Sequence, residues 1–182
     1  MAGHFSILQI VQPNHLSILG IFHTAISVIA LLVAFYALYC DGKLNPANAR
    51  GKWYIWLTVI TCVTGFPIMK TGHFTPGHYV AIIILLLLPL GVYAGRFFGK
   101  LGAAIQIIVM SVTLFLSCIP AIVETLTRLP ISHPIANGPN DPLLTNCLGG
   151  LFVLFLIGVS YQLIKLRKLR KTTQTPGTAV NS

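Results

Sequence analysis

The sequence predicts an all-α integral membrane protein built as one bundle of five transmembrane helices. Charged residues make up 8% of its 182 residues and hydrophobic residues 55%, whereas soluble domains have about 25% charged residues. Long apolar stretches recur along the chain, and their lengths approach the roughly 20 residues that cross a bilayer as a helix. The predicted spans are residues 16–40, 53–69, 77–95, 101–126 and 143–164, within a single bundle of residues 1–171.

The net charge of +9 could indicate a protein that binds nucleic acid. Nucleic-acid-binding domains collect Lys and Arg on one surface of a soluble domain. Here the basic residues instead flank the apolar stretches, as they do in loops that set membrane topology. We therefore expect the lipid bilayer as a partner and no nucleic acid.

The first two spans are joined by a short polar loop. Span one follows a Pro-Asn pair at residues 13–14 and ends before Gly42, which is a suitable C-cap. Span two opens with Trp53 and Trp56, and tryptophan is enriched at the boundary between lipid tails and water. The loop is therefore expected at a membrane surface.

A capping residue followed by proline marks the starts of spans three and five. Thr75 precedes Pro76, and Asp141 precedes Pro142. Thr and Asp are favoured N-caps, and proline is favoured at the first helical position. Pro89, in the middle of span three, is expected to kink that helix.

Span four contains an amide and a carboxylate side chain, and span five continues into a basic run. Gln106 is expected to form an interhelical hydrogen bond, and Glu124 is the only carboxylate within the predicted spans. Beyond Ile164 the chain continues as KLRKLRK, which favours anionic lipid. The polar residues 172–182 are expected to form a disordered cytoplasmic tail.

The positions of the basic residues predict the orientation of the bundle. With five spans, all but two of the 12 Lys and Arg residues fall on one side of the membrane, and the exceptions are Lys70 and Arg128. Cytoplasmic loops carry an excess of Lys and Arg. We therefore expect the N-terminus outside and the C-terminus in the cytoplasm.

All six histidines are predicted in the outer half of the bundle or in outer loops. They are His4, His15, His23, His73, His78 and His133. An ionisable side chain inside a bilayer is costly and is therefore a candidate for function. At ~1.5 Å rise per residue, His23 on span one and His78 on span three both lie roughly 26 Å from the cytoplasmic ends of their helices. The two imidazoles are therefore expected at one depth.

Two histidines at one depth on two helices meet the requirement of a b-type haem, which takes one axial nitrogen from each. His23 and His78 are therefore the candidate haem ligands. A transition metal such as zinc or copper is an alternative, with His73 and Glu124 completing a set of nitrogen and oxygen ligands. A further alternative needs no cofactor, because each imidazole can cap a helix or meet headgroups and water.

Glu124 itself has two interpretations. As a proton acceptor near the outer face, it would serve quinol oxidation or proton movement. It also lies four residues before Arg128, which is the spacing of an ion pair on one helix face. The sequence leaves both interpretations open.

Two stretches, HTAISVIALLVAFYALYCDGKLNPANARGKWY and GHFTPGHYVAIIILLLLPLGVYAG, resemble small, hydrophobic, multi-span bacterial membrane proteins of uncharacterised function. The shared features are a His-started first span, a DGK-type loop and a Gly-His start to a later span. The resemblance covers roughly the first half of the chain and implies a bacterial inner-membrane location. It carries over no activity and no catalytic residue.

Three functional hypotheses follow from these residues. The first is a small redox protein that holds one haem b or a metal near the outer face and exchanges electrons with a membrane partner or a quinol. The second is a non-catalytic accessory subunit that binds partner helices or lipid, since the sequence contains no phosphate-binding loop, acid pair or recognisable nucleophile. The third is a proton-coupled carrier that uses Glu124 and the proline-interrupted spans.

Overall fold

The computed structural model describes residues 18–68, 75–128, 130, 133–136, 138 and 140–173. These residues form five α-helices and one short 3-10 turn, and none of them is in a β-strand. The helices are α1 (Ile18–Asp41), α2 (Ala49–Gly65), α3 (Pro76–Phe97), α4 (Gly102–Arg128, preceded by the 3-10 turn Gly99–Leu101) and α5 (Pro142–Thr173). The predicted all-α class is therefore confirmed. Residues 1–17 and most of the predicted tail lie outside the described residues.

Four of the helices are long and apolar enough to cross a membrane. They are α1, α3, α4 with its preceding turn, and α5. Their length and composition support a multi-pass membrane protein, as predicted. The fifth helix, α2, is the shortest of the five, with 17 residues.

Two helices depart from their predicted bounds. Helix α5 continues nine residues past Ile164 to Thr173, so the first two residues of the predicted tail are helical. Helix α2 begins four residues before Trp53 and ends at Gly65. The cause is a cap that the polar loop supplies. Asn48 Oδ1 accepts a hydrogen bond from Gly51 N at 2.8 Å, so Arg50 and Lys52 belong to the first turn of the helix. At the other end, Phe66 N donates to the carbonyl of Val63, which tightens the last turn.

The three predicted caps, at Gly42, Thr75 and Asp141, are present in the structure. Gly42 adopts a positive φ of 66°, and its N donates to the carbonyl of Leu38 at 2.9 Å, as a glycine beyond a helix C-terminus does. Thr75 is the N-cap of α3, with proline at the first helical position. Asp141 Oδ1 accepts from Leu143 N at 2.9 Å and caps α5.

Helix α4 is the centre of the bundle. It packs along α3 and α5 and also touches α1, while α2 lies between α1 and α3. The most buried side chains come from all these interfaces and include alanines, which let α1 approach its neighbours closely. The buried core consists of Ala34, Ala37, Leu44, Tyr54, Cys62, Ile84, Leu88, Met110, Leu114 and Cys118.

Helices α1 and α2 are antiparallel and lie side by side along nearly their whole lengths. At one end, the Asp41 carboxylate is 3.4 Å from an Arg50 Nη2 atom and accepts from Asn48 Nδ2 at 2.7 Å. At the other end, His23 Nδ1 is 3.1 Å from Thr64 Oγ1. The bundle therefore has two chemically different ends.

We call these ends the basic end and the histidine end. The basic end holds the loop after α1, the turn between α3 and α4, and the last part of α5, with Lys43, Arg50, Lys100 and Lys165. The histidine end holds the start of α1, the end of α2 and the start of α3, with His23 and His78. This arrangement agrees with the prediction that both histidines lie far from the cytoplasmic ends of their helices.

The turn between α3 and α4 depends on a close backbone contact at Gly102. A Cβ atom added to Gly102 would lie 2.5 Å from the Cα of Gly95 and 2.7 Å from the carbonyl oxygen of Ala94. Backbone atoms cannot move aside as a flexible side chain can. Glycine at this position therefore allows α4 to start directly against the end of α3.

We predict that Gly102→Ala destabilises the protein. Overpacking a close contact costs about 1–3 kcal/mol, so the midpoint of thermal unfolding in detergent, followed by circular dichroism, should fall. Gly95→Ala is the matched control, because a Cβ on Gly95 meets nothing within 4 Å. Equal effects of the two substitutions would show that the close contact does not limit packing here.

Candidate functional site

Both histidines of the predicted haem site lie against the end of α2. His23 Nδ1 lies 3.1 Å from Thr64 Oγ1, and a Cβ on Gly65 would come within 3.1 Å of His23 Cε1. From α3, His78 Nε2 lies 3.3 Å from the carbonyl oxygen of Phe66. The end of α2 is therefore held by an imidazole from each neighbouring helix.

The hydrogen bonds of His78 determine which of its nitrogens carries the proton. Thr75 N donates to His78 Nδ1 at 3.1 Å, and a backbone N–H can only donate. His78 Nδ1 is therefore the acceptor, and the proton of the neutral ring is on Nε2. That proton is donated to the Phe66 carbonyl, so His78 joins the end of α2 to the start of α3.

His23 has the opposite tautomer. The Thr64 hydroxyl has one hydrogen, and it donates that hydrogen to the carbonyl of Ile60 at 2.8 Å. Thr64 Oγ1 must therefore accept from His23, which places the ring proton on Nδ1. The half-buried His23 ring keeps the lone pair of Nε2.

This arrangement does not fit a haem held by two histidines. An axial histidine presents an unprotonated nitrogen to iron and donates from its other nitrogen. His23 can do so through Nε2, but His78 has its proton on Nε2 and receives a hydrogen bond at Nδ1. Ligation by His78 would require the ring to lose its contacts with both Thr75 and Phe66. Haem ligation by His23 and His78 stays a prediction, and it would require His78 to give up these two hydrogen bonds.

The alternative metal site is not assembled by the described residues. His73 lies outside the part of the chain that the structure describes. Glu124 pairs with Arg128 one turn later on α4, where Arg128 Nη2 donates to Glu124 Oε1 at 3.2 Å and Arg128 Nε forms a second contact with Oε2. Among the described residues, no three His, Cys, Asp or Glu side chains are grouped so as to hold a metal ion.

Buried and half-buried polar side chains join α4 to its neighbours. The Tyr54 hydroxyl, on α2, lies 3.0 Å from Thr113 Oγ1, and Thr113 Oγ1 donates to the carbonyl of Met110, so Tyr54 donates to Thr113. Gln106 Nε2 donates to the carbonyl of Gly91 on α3 at 3.3 Å. The interhelical hydrogen bond predicted for Gln106 is thus confirmed.

The partners of these polar groups were not recognised from the sequence. No sequence motif marks these partners. Only the packing of different helices brings Thr64 to His23, the Phe66 carbonyl to His78 and Thr113 to Tyr54. Gln162, on α5, was overlooked in the same way. Its 8% exposure is unusual for an amide side chain.

No family model, no curated protein and no solved structure matches this chain.

We predict that His78→Ala destabilises the protein by about 1–3 kcal/mol, because it leaves the Thr75 N–H and the Phe66 carbonyl without their partner. The measurement is the thermal unfolding midpoint of the purified protein in detergent. His133→Ala is the control, since His133 is exposed in the loop after α4. An unchanged midpoint for His78→Ala would contradict a structural role for this ring.

Proposed function

We propose that the protein is a five-span membrane protein that acts as a non-catalytic subunit and associates with a partner helix through α5. The fifth span in this proposal is α2. Its 17 residues extend for ~26 Å, close to the ~30 Å of a bilayer core. Support comes from its alignment with α1, from the Asp41–Arg50 pair at one end to the His23–Thr64 contact at the other.

The proposed orientation places the basic end in the cytoplasm and the histidine end outside. The Lys and Arg residues of the basic end come from three separate segments of the chain, and such an excess is typical of cytoplasmic loops. At the opposite end, Arg128 is paired with Glu124. With five spans, the N-terminus is outside and the C-terminus is cytoplasmic.

The observation that carries the proposed role is the packing of α5. Among the described helices, α5 packs along α4 alone, and between Leu148 and Ile164 its remaining surface is open and largely apolar. Leu154 is 67% exposed and Ile157 60%. A Cβ on Gly149 or Gly150 would meet nothing within 4 Å, and glycines on a transmembrane helix let another helix approach closely.

The non-catalytic part of the proposal is supported by the side chains at the histidine end. His78 uses both nitrogens in hydrogen bonds that join two helices, and Glu124 is held by Arg128. These contacts favour a structural role over a proton-coupled carrier. A haem protein remains the competing proposal, and a Soret band in protein purified from haem-replete cells would favour it over a non-catalytic subunit.

We predict that α2 crosses the membrane. In a variant without the native cysteines, Ala47→Cys and Pro67→Cys should react with a membrane-impermeant thiol reagent from opposite sides, because these exposed residues flank α2. Thr172→Cys, at the end of α5, should react from the same side as Ala47→Cys. Labelling of positions 47 and 67 from the same side would reduce the number of spans to four.

We predict that a photo-crosslinking amino acid at Leu154 or Ile157 gives one discrete protein adduct in intact membranes. The matched control is Leu86 on α3, which is 69% exposed but lies on a helix packed between α2 and α4. Adducts at α5 and none at Leu86 support the partner-helix role. Lipid adducts alone at all three positions would contradict it.

A further inference from the structure

A small pocket lies at the basic end, between the turn after α1, the first part of α4 and the last part of α5. Its volume is about 70 Å³, whereas a water site needs about 10–15 Å³ by the same measure. The pocket can therefore hold a small polar group. It is lined by Asp41, Gly42, Lys43, Ile107, Gln162, Lys165, Leu166 and Leu169.

The charge of this pocket is positive. Lys43 and Lys165 both line it, and the Lys165 ammonium lies directly over the turn, 3.1 Å from where a Cβ of Gly42 would be. Asp41 also lines the pocket, but its carboxylate is already engaged by Arg50 at 3.4 Å and by Asn48 at 2.7 Å. Two ammonium groups therefore remain available to an anion.

Gln162 adds a neutral hydrogen-bonding group to the pocket. Its side chain is more than nine-tenths buried, and its Nε2 donates to Ser111 Oγ at 3.4 Å. Its Oε1 atom is buried without a hydrogen-bond partner among the described residues. A buried carbonyl oxygen without a donor is costly, so a ligand that supplies a hydroxyl donor would be favoured here.

The position of the pocket along α5 indicates the source of the ligand. The apolar part of α5 ends at Ile164, and Lys165 is the first residue of the basic run, which places the pocket at headgroup depth of a spanning helix. Ile107, Leu166 and Leu169 form apolar walls suited to the start of a lipid's glycerol ester. Basic pockets at such positions bind anionic headgroups.

We propose that this pocket binds the headgroup of an anionic phospholipid that carries both a phosphodiester and a free hydroxyl, as phosphatidylglycerol does. Lys43 and Lys165 hold the phosphate, and Gln162 Oε1 accepts the hydroxyl. This site is separate from the open face of α5, so either can exist without the other.

The test is lipid binding to the full-length protein in nanodiscs of phosphatidylcholine, titrated with short-chain phosphatidylglycerol. Lys165→Gln should weaken binding about fivefold, the effect expected for one cation near a membrane surface. Lys168→Gln and Arg170→Gln are the matched controls, because both residues are exposed in the same basic run and do not line the pocket. Equal losses in all three variants would overturn the proposal, since diffuse surface charge would then explain the binding.

A second comparison tests the role of Gln162. Gln162→Leu, which keeps the interior apolar and similar in size, should weaken binding of phosphatidylglycerol but not of phosphatidylmethanol, which lacks the hydroxyl. Equal affinity of the wild type for the two lipids would overturn the assigned hydroxyl contact. Displacement of the lipid by millimolar glycerol phosphate or inorganic phosphate would overturn a lipid source, because the site would then recognise the free anion.

Discussion

The carbonyl of Phe66, directly after α2, accepts a hydrogen bond from His78 Nε2, which reaches it from α3. Helix ends within or near a bilayer must satisfy their polar groups inside the protein. His78 does so for two helices at once, because its Nδ1 also accepts the Thr75 N–H. The position of α3 relative to α2 depends on this ring.

The same requirement explains the interior of the bundle. Lipid tails are as apolar as leucine, so burying apolar side chains gives little driving force for helix association in a bilayer. Close packing and interhelical hydrogen bonds must take over that role. Tyr54 donates to Thr113 and thereby joins α2 to α4, while Gln106 joins α4 to α3. Both bonds involve α4, which also packs against α1, α3 and α5. Helix α4 therefore fixes the positions of the other helices in the bundle.

What the sequence could predict was local in origin. The caps at Gly42, Thr75 and Asp141 depend on residues a few positions away, and all three were found where the sequence placed them. The predicted start of α2 was wrong, because Arg50 and Lys52 were assigned to a loop although the Asn48 cap makes them helical.

Features that depend on contacts between helices could not be predicted. The tautomer of His78 is one of them, since the partner of its Nε2 atom lies at the end of another helix. Nor could the sequence predict that Gln162 Oε1 has no hydrogen-bond partner among the described residues, because this depends on what packs around it.

The two ends of the bundle differ in what a polar ligand would gain there. At the histidine end, a ligand for His78 must first break bonds to Thr75 and Phe66, so its binding free energy is reduced by their loss. At the basic end, Gln162 Oε1 and Arg50 Nε are buried without a hydrogen-bond partner among the described residues. The hydroxyls of Thr58 and Thr61 are in the same position, but a threonine hydroxyl in a helix can rotate towards the carbonyl four residues earlier. Because Gln162 lines the pocket at the basic end, a ligand that donates to its Oε1 atom would gain a hydrogen bond there without first breaking one.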